Sequence, residues 1–107
     1  MKINELFLNK KVVFSMEVFP PNKRTSQEDV RKATKEICKL KPDYVSVTYG
    51  AGGINTEKSP TIEIAQFIKN ECNVEPLAHL TCVNSKKDEI LEVIKGLKES
   101  GIQNVLA

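Results

Sequence analysis

Glu17, Thr48 and His79 each stand near the end of a short apolar segment whose residues alternate as in a β-strand. One side chain is a carboxylate, one a hydroxyl and one an imidazole, so together they could transfer protons and hydrogen-bond a polar ligand. The carboxyl ends of parallel strands meet at one rim of a sheet, which is where α/β proteins bind ligands. We therefore expect the three side chains to converge at a common mouth.

Glu17 is the strongest candidate for catalysis, because it interrupts the apolar segment Phe14-Ser15-Met16-Glu17-Val18-Phe19. An ionised carboxylate buried there without a partner would cost several kcal/mol. Burial also favours the protonated form, which is the form that a general acid needs. The alternative is a structural carboxylate that is hydrogen-bonded to the backbone or to a neighbouring hydroxyl such as that of Thr48.

His79 is the only histidine in the chain, so we do not expect a metal site. The imidazole can either hydrogen-bond a bound cofactor or be a satisfied core side chain.

The segment Thr48-Tyr49-Gly50-Ala51-Gly52-Gly53 runs from a strand end into a glycine-rich loop. Such a loop can cradle a phosphate or be a plain turn, and its spacing matches neither a P-loop nor a dinucleotide fingerprint. Tyr49 could stack on a planar ring or pack beneath the second helix.

Strand and helix patterns alternate along the whole chain. Strands are predicted at residues 12–19, 43–49, 76–82 and 102–106, and a short amphipathic segment, Ile3 to Leu8, precedes them. Their spacing is that of successive β/α units, which give parallel strands with right-handed crossovers.

The three main helices between these strands have recognisable starts and ends. Helix starts are predicted at Thr25 or Ser26, at Ser59 and at Ser85, and Gly101 is predicted to close the last helix in a left-handed conformation. The apolar spacing predicts three buried stripes: Val30, Ala33, Ile37 and Leu40; Ile64, Phe67 and Ile68; Ile90, Leu91, Ile94 and Leu97.

Two α/β architectures are compatible with this order: an open doubly wound sheet and part of a (β/α)8 barrel. Strands covered by helices on both faces are almost continuously hydrophobic, whereas these strands carry serine, threonine, glutamate and histidine on one face. That pattern favours a TIM barrel. A complete barrel needs about 250 residues, so we expect residues 1–107 to be an N-terminal fragment of one barrel domain, about half of it, with no internal boundary.

Composition indicates which kinds of partner and which cellular compartment to expect. The chain has 16 basic and 14 acidic residues and a formal net charge of +2, which does not predict nucleic-acid binding. No apolar run approaches the ~20 residues of a membrane span, and the N-terminus lacks the pattern of a signal peptide. We therefore expect a cytoplasmic protein with no membrane partner, in which Cys38, Cys72 and Cys82 are reduced.

Three motifs together resemble the opening part of the methylenetetrahydrofolate reductase family. They are Ser15-Met16-Glu17-Val18-Phe19-Pro20-Pro21, the segment from Lys41-Pro42-Asp43-Tyr44-Val45-Ser46-Val47 through Thr48-Tyr49-Gly50-Ala51-Gly52-Gly53, and Ala78-His79-Leu80-Thr81-Cys82. The resemblance covers nearly the whole chain and implies an FAD-dependent enzyme on a (β/α)8 barrel. Such an enzyme reduces 5,10-methylenetetrahydrofolate to 5-methyltetrahydrofolate with NADH, NADPH or a protein as the electron donor.

The resemblance also implies roles for individual residues. Glu17 matches the acidic residue taken as the general acid that opens the imidazolidine ring of the folate. Thr48 matches a position beside the flavin and nicotinamide, Tyr49 and Ala51 match flavin contacts, and His79 matches a further contact to FAD. We expect the fragment alone to be inactive and to self-associate or form homo-oligomers through open barrel edges. The competing hypothesis is a non-catalytic α/β module that binds a nucleotide or a phosphorylated small molecule.

Overall fold

The computed structural model describes residues 1–49 and 60–107, and within them four strands alternate with four helices. The elements are α1 (Ile3–Asn9), β1 (Ser15–Val18), α2 (Gln27–Cys38), β2 (Tyr44–Val47), α3 (Pro60–Asn70), β3 (Glu75–His79), α4 (Lys87–Glu99) and β4 (Val105–Leu106). The predicted order of elements is confirmed, and each strand is shorter than its alternating segment.

The strands form a parallel sheet whose spatial order, β1-β2-β3-β4, is the order of the sequence. A doubly wound sheet reverses direction at a switch point, and this sheet does not. Right-handed crossovers between strands that advance in one direction place the connecting helices on the same side. The topology is therefore that of consecutive β/α units of a barrel, as the sequence predicted.

Alternate residues divide the sheet into two surfaces. Met16, Val45 and Pro76 are register partners on the surface that packs against the helices, hereafter the helix face. Glu17, Ser46 and Leu77 are register partners on the opposite surface, hereafter the inner face. The hydrophobic core lies between the helix face and the helices, and its buried members are Val18, Val30, Val45, Val47, Ile64, Ala65, Ile68, Ala78, Leu80, Val93, Leu97 and Ile102.

Most helix boundaries follow from local chemistry. The Ser26 hydroxyl accepts a hydrogen bond from the Asp29 N–H at 3.1 Å, which caps α2. Gly101 closes α4 with a φ of 73°, a conformation that favours glycine. The predicted start of α4 at Ser85 is wrong by one residue, because Lys86 is the N-cap. The N–H of Lys86 instead donates to Glu89 Oε2 at 2.8 Å, and the helix begins at Lys87.

The predicted stripe of α3 is confirmed, because Ile64, Phe67 and Ile68 are all buried. The stripe of α2 is partly wrong: Ala33 and Leu40 are exposed, and Thr34 is fully buried. The Thr34 hydroxyl donates to the Val30 carbonyl at 2.7 Å, so its burial leaves no unpaired polar group.

The stripe of α4 is also partly wrong, because Leu91 and Ile94 are exposed and Val93 is buried. Apolar residues surround much of this helix, so periodicity did not identify the side that meets the sheet.

The first helix closes the N-terminal end of the sheet through Asn104. Asn104 Oδ1 accepts a hydrogen bond from the Ile3 N–H at 2.8 Å, and Asn104 Nδ2 donates to the Met1 carbonyl at 2.8 Å and to Glu75 Oε1 at 3.0 Å. Phe7 packs edge-on against Tyr44, with the ring centroids 6.4 Å apart. These contacts leave the opposite end of the sheet, at the strand carboxyl ends, for a site.

Of the helices within residues 1–49 and 60–107, none combines the length and apolar character needed to cross a membrane.

Candidate functional site

The candidate site lies on the inner face, where polar side chains of three neighbouring strands meet. Glu17 of β1 is the direct register partner of Ser46 of β2. Thr48 follows β2 and continues its alternation onto the inner face, and His79 is the last residue of β3, two positions after Leu77. The expected convergence of Glu17, Thr48 and His79 on one surface therefore agrees with the topology.

The carboxylate of Glu17 is held by a serine. Ser46 Oγ donates to Glu17 Oε2 at 3.2 Å. Thr48, the hydroxyl suggested from the sequence, is not this partner, because the strand register sets Ser46 opposite Glu17. The burial expected for Glu17 is also not found: the residue is exposed on the inner face, and Ser46 beneath it is only 7% exposed.

Thr48 is fixed through its backbone at the end of β2. Its N–H donates to the Val18 carbonyl at 3.1 Å, and its carbonyl accepts a hydrogen bond from Thr61 Oγ1 at 2.9 Å. Thr61 is buried in the first turn of α3. The half-buried Thr48 side chain is thus carried by a backbone segment that both β1 and α3 restrain.

His79 is half-buried and pairs with Leu106 of the neighbouring strand. The N–H of the next residue, Leu80, donates to the Leu106 carbonyl at 2.8 Å, which holds the end of β3 in the sheet. The imidazole therefore lies at the end of a strand, as the sequence predicted.

Tyr49 does not share the inner face with the other candidates. It packs against the hydrophobic core on the helix side. Burial raises the pKa of its hydroxyl, and the nearby Cys82 and Glu89 raise it further. Packing beneath the helices is thus the observed arrangement of Tyr49. Ala51, the remaining predicted flavin contact, lies outside the described residues.

This arrangement is suited to proton transfer and polar recognition. It offers a carboxyl group with one oxygen already hydrogen-bonded, a threonine hydroxyl and an imidazole on one open surface. Within residues 1–49 and 60–107, no three His, Cys, Asp or Glu side chains gather as metal ligands.

Ser46 and Thr61 are the two residues that sequence reasoning did not single out. Ser46 could have been found only from the register of β1 against β2, and Thr61 only from the packing of α3 against the end of β2.

Comparison with known proteins relates this geometry to a family. The family model described as methylenetetrahydrofolate reductase matches residues 2–107. A protein of Oryza sativa subsp. japonica named probable methylenetetrahydrofolate reductase (NADH) is 35% identical over 99% of this chain and 18% of its own length. The 5,10-methylenetetrahydrofolate reductase of Pectobacterium carotovorum subsp. carotovorum is 33% identical over 94% of this chain and 33% of its own length.

A third relative, the 5,10-methylenetetrahydrofolate reductase of Buchnera aphidicola subsp. Baizongia pistaciae, is 33% identical over 98% of this chain and 36% of its own length. The chain thus spans between about a fifth and about a third of the length of these curated relatives. Since the family match runs through all of the strands and helices described above, the chain belongs to the methylenetetrahydrofolate reductase family and covers part of its TIM barrel.

Proposed function

We propose that the protein reduces 5,10-methylenetetrahydrofolate to 5-methyltetrahydrofolate in an FAD-dependent reaction, with Glu17 as the general acid. The observation that carries this proposal is the Glu17 carboxyl group on the open inner face, fixed at one oxygen by Ser46. The names of the relatives support folate as the substrate class.

The donor set on the inner face fits a flavin. The polar edge of an isoalloxazine ring presents both hydrogen-bond donors and acceptors, and Thr48 and His79 carry side chains that can serve either role. Both are half-buried, so each can contact a ligand without being fully exposed to water. When bound, FAD would supply the hydride that reduces the folate. Tyr49 and Ala51 are retained as proposed flavin contacts.

The chemical task of Glu17 is to open the five-membered ring of the substrate. Its carboxyl proton moves to one ring nitrogen, the bond between that nitrogen and the methylene carbon breaks, and the bonding pair stays on the nitrogen. The lone pair of the second nitrogen then forms an iminium with the methylene carbon. Glu17 is left as a carboxylate, and the iminium carbon is the atom that accepts the hydride.

Glu17→Gln in the full gene product that contains residues 1–107 tests the acid role. The amide keeps the size and cannot donate a carboxylic proton, so folate reduction should fall about 10²- to 10⁴-fold, with flavin binding retained. Glu36→Gln, an exposed residue of α2, is the matched control and should retain full activity. Folate reduction by E17Q at the rate of E36Q would remove Glu17 from the mechanism.

The same preparation separates the two candidate functions. A yellow protein with a flavin spectrum and folate-reducing activity supports the reductase. A colourless protein that binds nucleotide phosphates would support the non-catalytic module instead. Assays with NADH and NADPH in parallel identify the donor; the rice relative is named for NADH. Cell fractionation checks the cytoplasmic location that forms part of this proposal.

Residues 1–107 expressed alone should not reduce folate and should self-associate. Val105 and Leu106 of the β4 edge strand, Leu91 and Ile94 of α4, and Phe14 beside β1 are all exposed. Exposed strand edges and apolar patches promote association between chains. Light scattering that finds a monomer, or turnover equal to that of the full gene product, would contradict this part of the proposal.

A further inference from the structure

The Ser46 side chain has less conformational freedom than that of Glu17, its hydrogen-bond partner. Ser46 is 7% exposed in the middle of β2, between the register partners Glu17 and Leu77. Its side chain has a single rotatable bond to the hydroxyl and is held by the surrounding sheet. Glu17 is exposed and has three side-chain torsions, so without a contact it would sample many orientations. The 3.2 Å hydrogen bond from Ser46 therefore limits the orientations that the Glu17 carboxyl group can adopt.

This hydrogen bond also makes the two carboxyl oxygens of Glu17 different. Ser46 donates to Oε2, and among the described residues no hydrogen bond reaches Oε1. A neutral carboxyl group keeps one carbonyl oxygen, which is its better hydrogen-bond acceptor, and a donor on Oε2 favours that role for Oε2. The acidic hydrogen of the neutral carboxyl group is therefore favoured on Oε1.

We infer that Ser46 is a positioning residue for Glu17, which holds Oε2 and so presents Oε1 as the oxygen that delivers the proton. The inference rests on the proposed acid role of Glu17. Proton transfer leaves Glu17 negatively charged, and a hydroxyl donates a stronger hydrogen bond to a carboxylate than to a neutral carboxyl group. The contribution of Ser46 thus grows as the reaction proceeds, and an interaction that strengthens toward the transition state raises kcat more than it lowers KM.

Ser46→Ala in the full gene product tests the inference. We expect kcat for folate reduction to fall about ten- to a hundredfold, the range for a hydrogen bond to a charged group. The KM for 5,10-methylenetetrahydrofolate should stay within about twofold. Reduction of the flavin by NADH or NADPH without folate should keep its rate, because that half-reaction does not use the Glu17 proton. Ser46→Thr, which keeps the hydroxyl, should restore most of kcat.

Two further variants distinguish positioning from a loss of structure. Thr34→Ala removes another buried hydroxyl, from α2 on the helix side, and should leave kcat unchanged even where it lowers stability. The double variant S46A/E17Q should be no slower than E17Q alone, because Ser46 acts only through the carboxyl group. If S46A does not fold, Ser46→Cys keeps the volume with a weaker donor and replaces it in the same comparison.

The outcomes separate this inference from the proposed function. A wild-type protein that binds flavin and does not reduce folate would refute the proposed function. A wild-type protein that reduces folate together with an S46A variant of equal kcat would refute only the role of Ser46. The inference would also be overturned if S46A lost folate reduction and flavin reduction equally, or if the losses were additive in the double variant. Either result would show that Ser46 is merely structural.

Discussion

The helix face and the inner face are built from alternate residues of the same strands and differ in almost every physical property. Val45 and Val47 on the helix face are completely buried in the core. Ser46, between them in sequence, points to the inner face and binds the exposed Glu17. Stability and chemistry therefore depend on separate sets of side chains, so a substitution on one face can change one property with little effect on the other.

Two leucines near the end of β3 give the strongest test of this division. Leu80 belongs to the buried core and is 5% exposed, whereas Leu77 lies half-buried on the inner face. Leu80→Ala should lower the free energy of unfolding of the full gene product by about 2–5 kcal/mol, since it leaves a cavity in the core. Leu77→Ala should lower it by no more than about 1 kcal/mol. Urea denaturation of the two variants measures the difference.

An equal loss of stability in the two alanine variants would contradict the division of roles between the helix face and the inner face. Both variants replace leucine by alanine, at Leu77 within β3 and at Leu80 directly after it, so they contrast the inner face with the buried core.

The sequence predicted the fold well wherever hydrophobic periodicity had a single solution. Ile64, Phe67 and Ile68 form one narrow stripe on α3, and all three are buried. The prediction failed for Thr34, because a threonine that hydrogen-bonds its own helix can be buried as easily as an apolar residue. It failed for Leu91 because α4 is apolar on more than one side.

The candidate site could be predicted in kind, though not in its contacts. Alternation along each strand was enough to assign Glu17, Thr48 and His79 to one surface. The hydrogen bond from Ser46 to Glu17 depends on how β1 is aligned with β2. A shift of one residue in that alignment would change the partner, and a single sequence carries no direct record of the alignment.

Asn104 is a buried polar residue at the N-terminal end of the sheet, and its role is structural. Asn104→Ala should lower the free energy of unfolding by about 1–3 kcal/mol, because the buried N–H of Ile3 loses its acceptor. Gln103→Ala is the control, since Gln103 is exposed and accepts its hydrogen bond from the exposed N-terminus. It should change stability by no more than about 0.5 kcal/mol. Equal losses in the two variants would show that burial of the amide contributes nothing.

Substitution of Asp43 should produce the smallest change in stability, and that change should disappear at strongly acidic pH. The carboxylate lies just before β2, outside both faces, and accepts hydrogen bonds from Lys10 Nζ and, at 2.8 Å, from the Phe14 N–H. The bond from Lys10, followed by that from Phe14, holds the pKa of Asp43 below its usual value. A carboxyl group with a lowered pKa stabilises the folded state above its unfolded pKa of about 3.9. That contribution is lost as the pH falls through the lower folded value.

Asp43→Asn should therefore lower the urea midpoint at pH 6, and the difference from wild type should shrink steadily as the pH falls below about 4. Added salt should reduce the difference at pH 6, because the Lys10–Asp43 pair is at the surface and is screened. Glu36→Gln breaks the more exposed pair with Lys39 and serves as the control with almost no change in midpoint. A D43N difference that stayed constant from pH 6 to pH 2 would mean that the amide substitution acts through the hydrogen bond to Phe14 and not through charge.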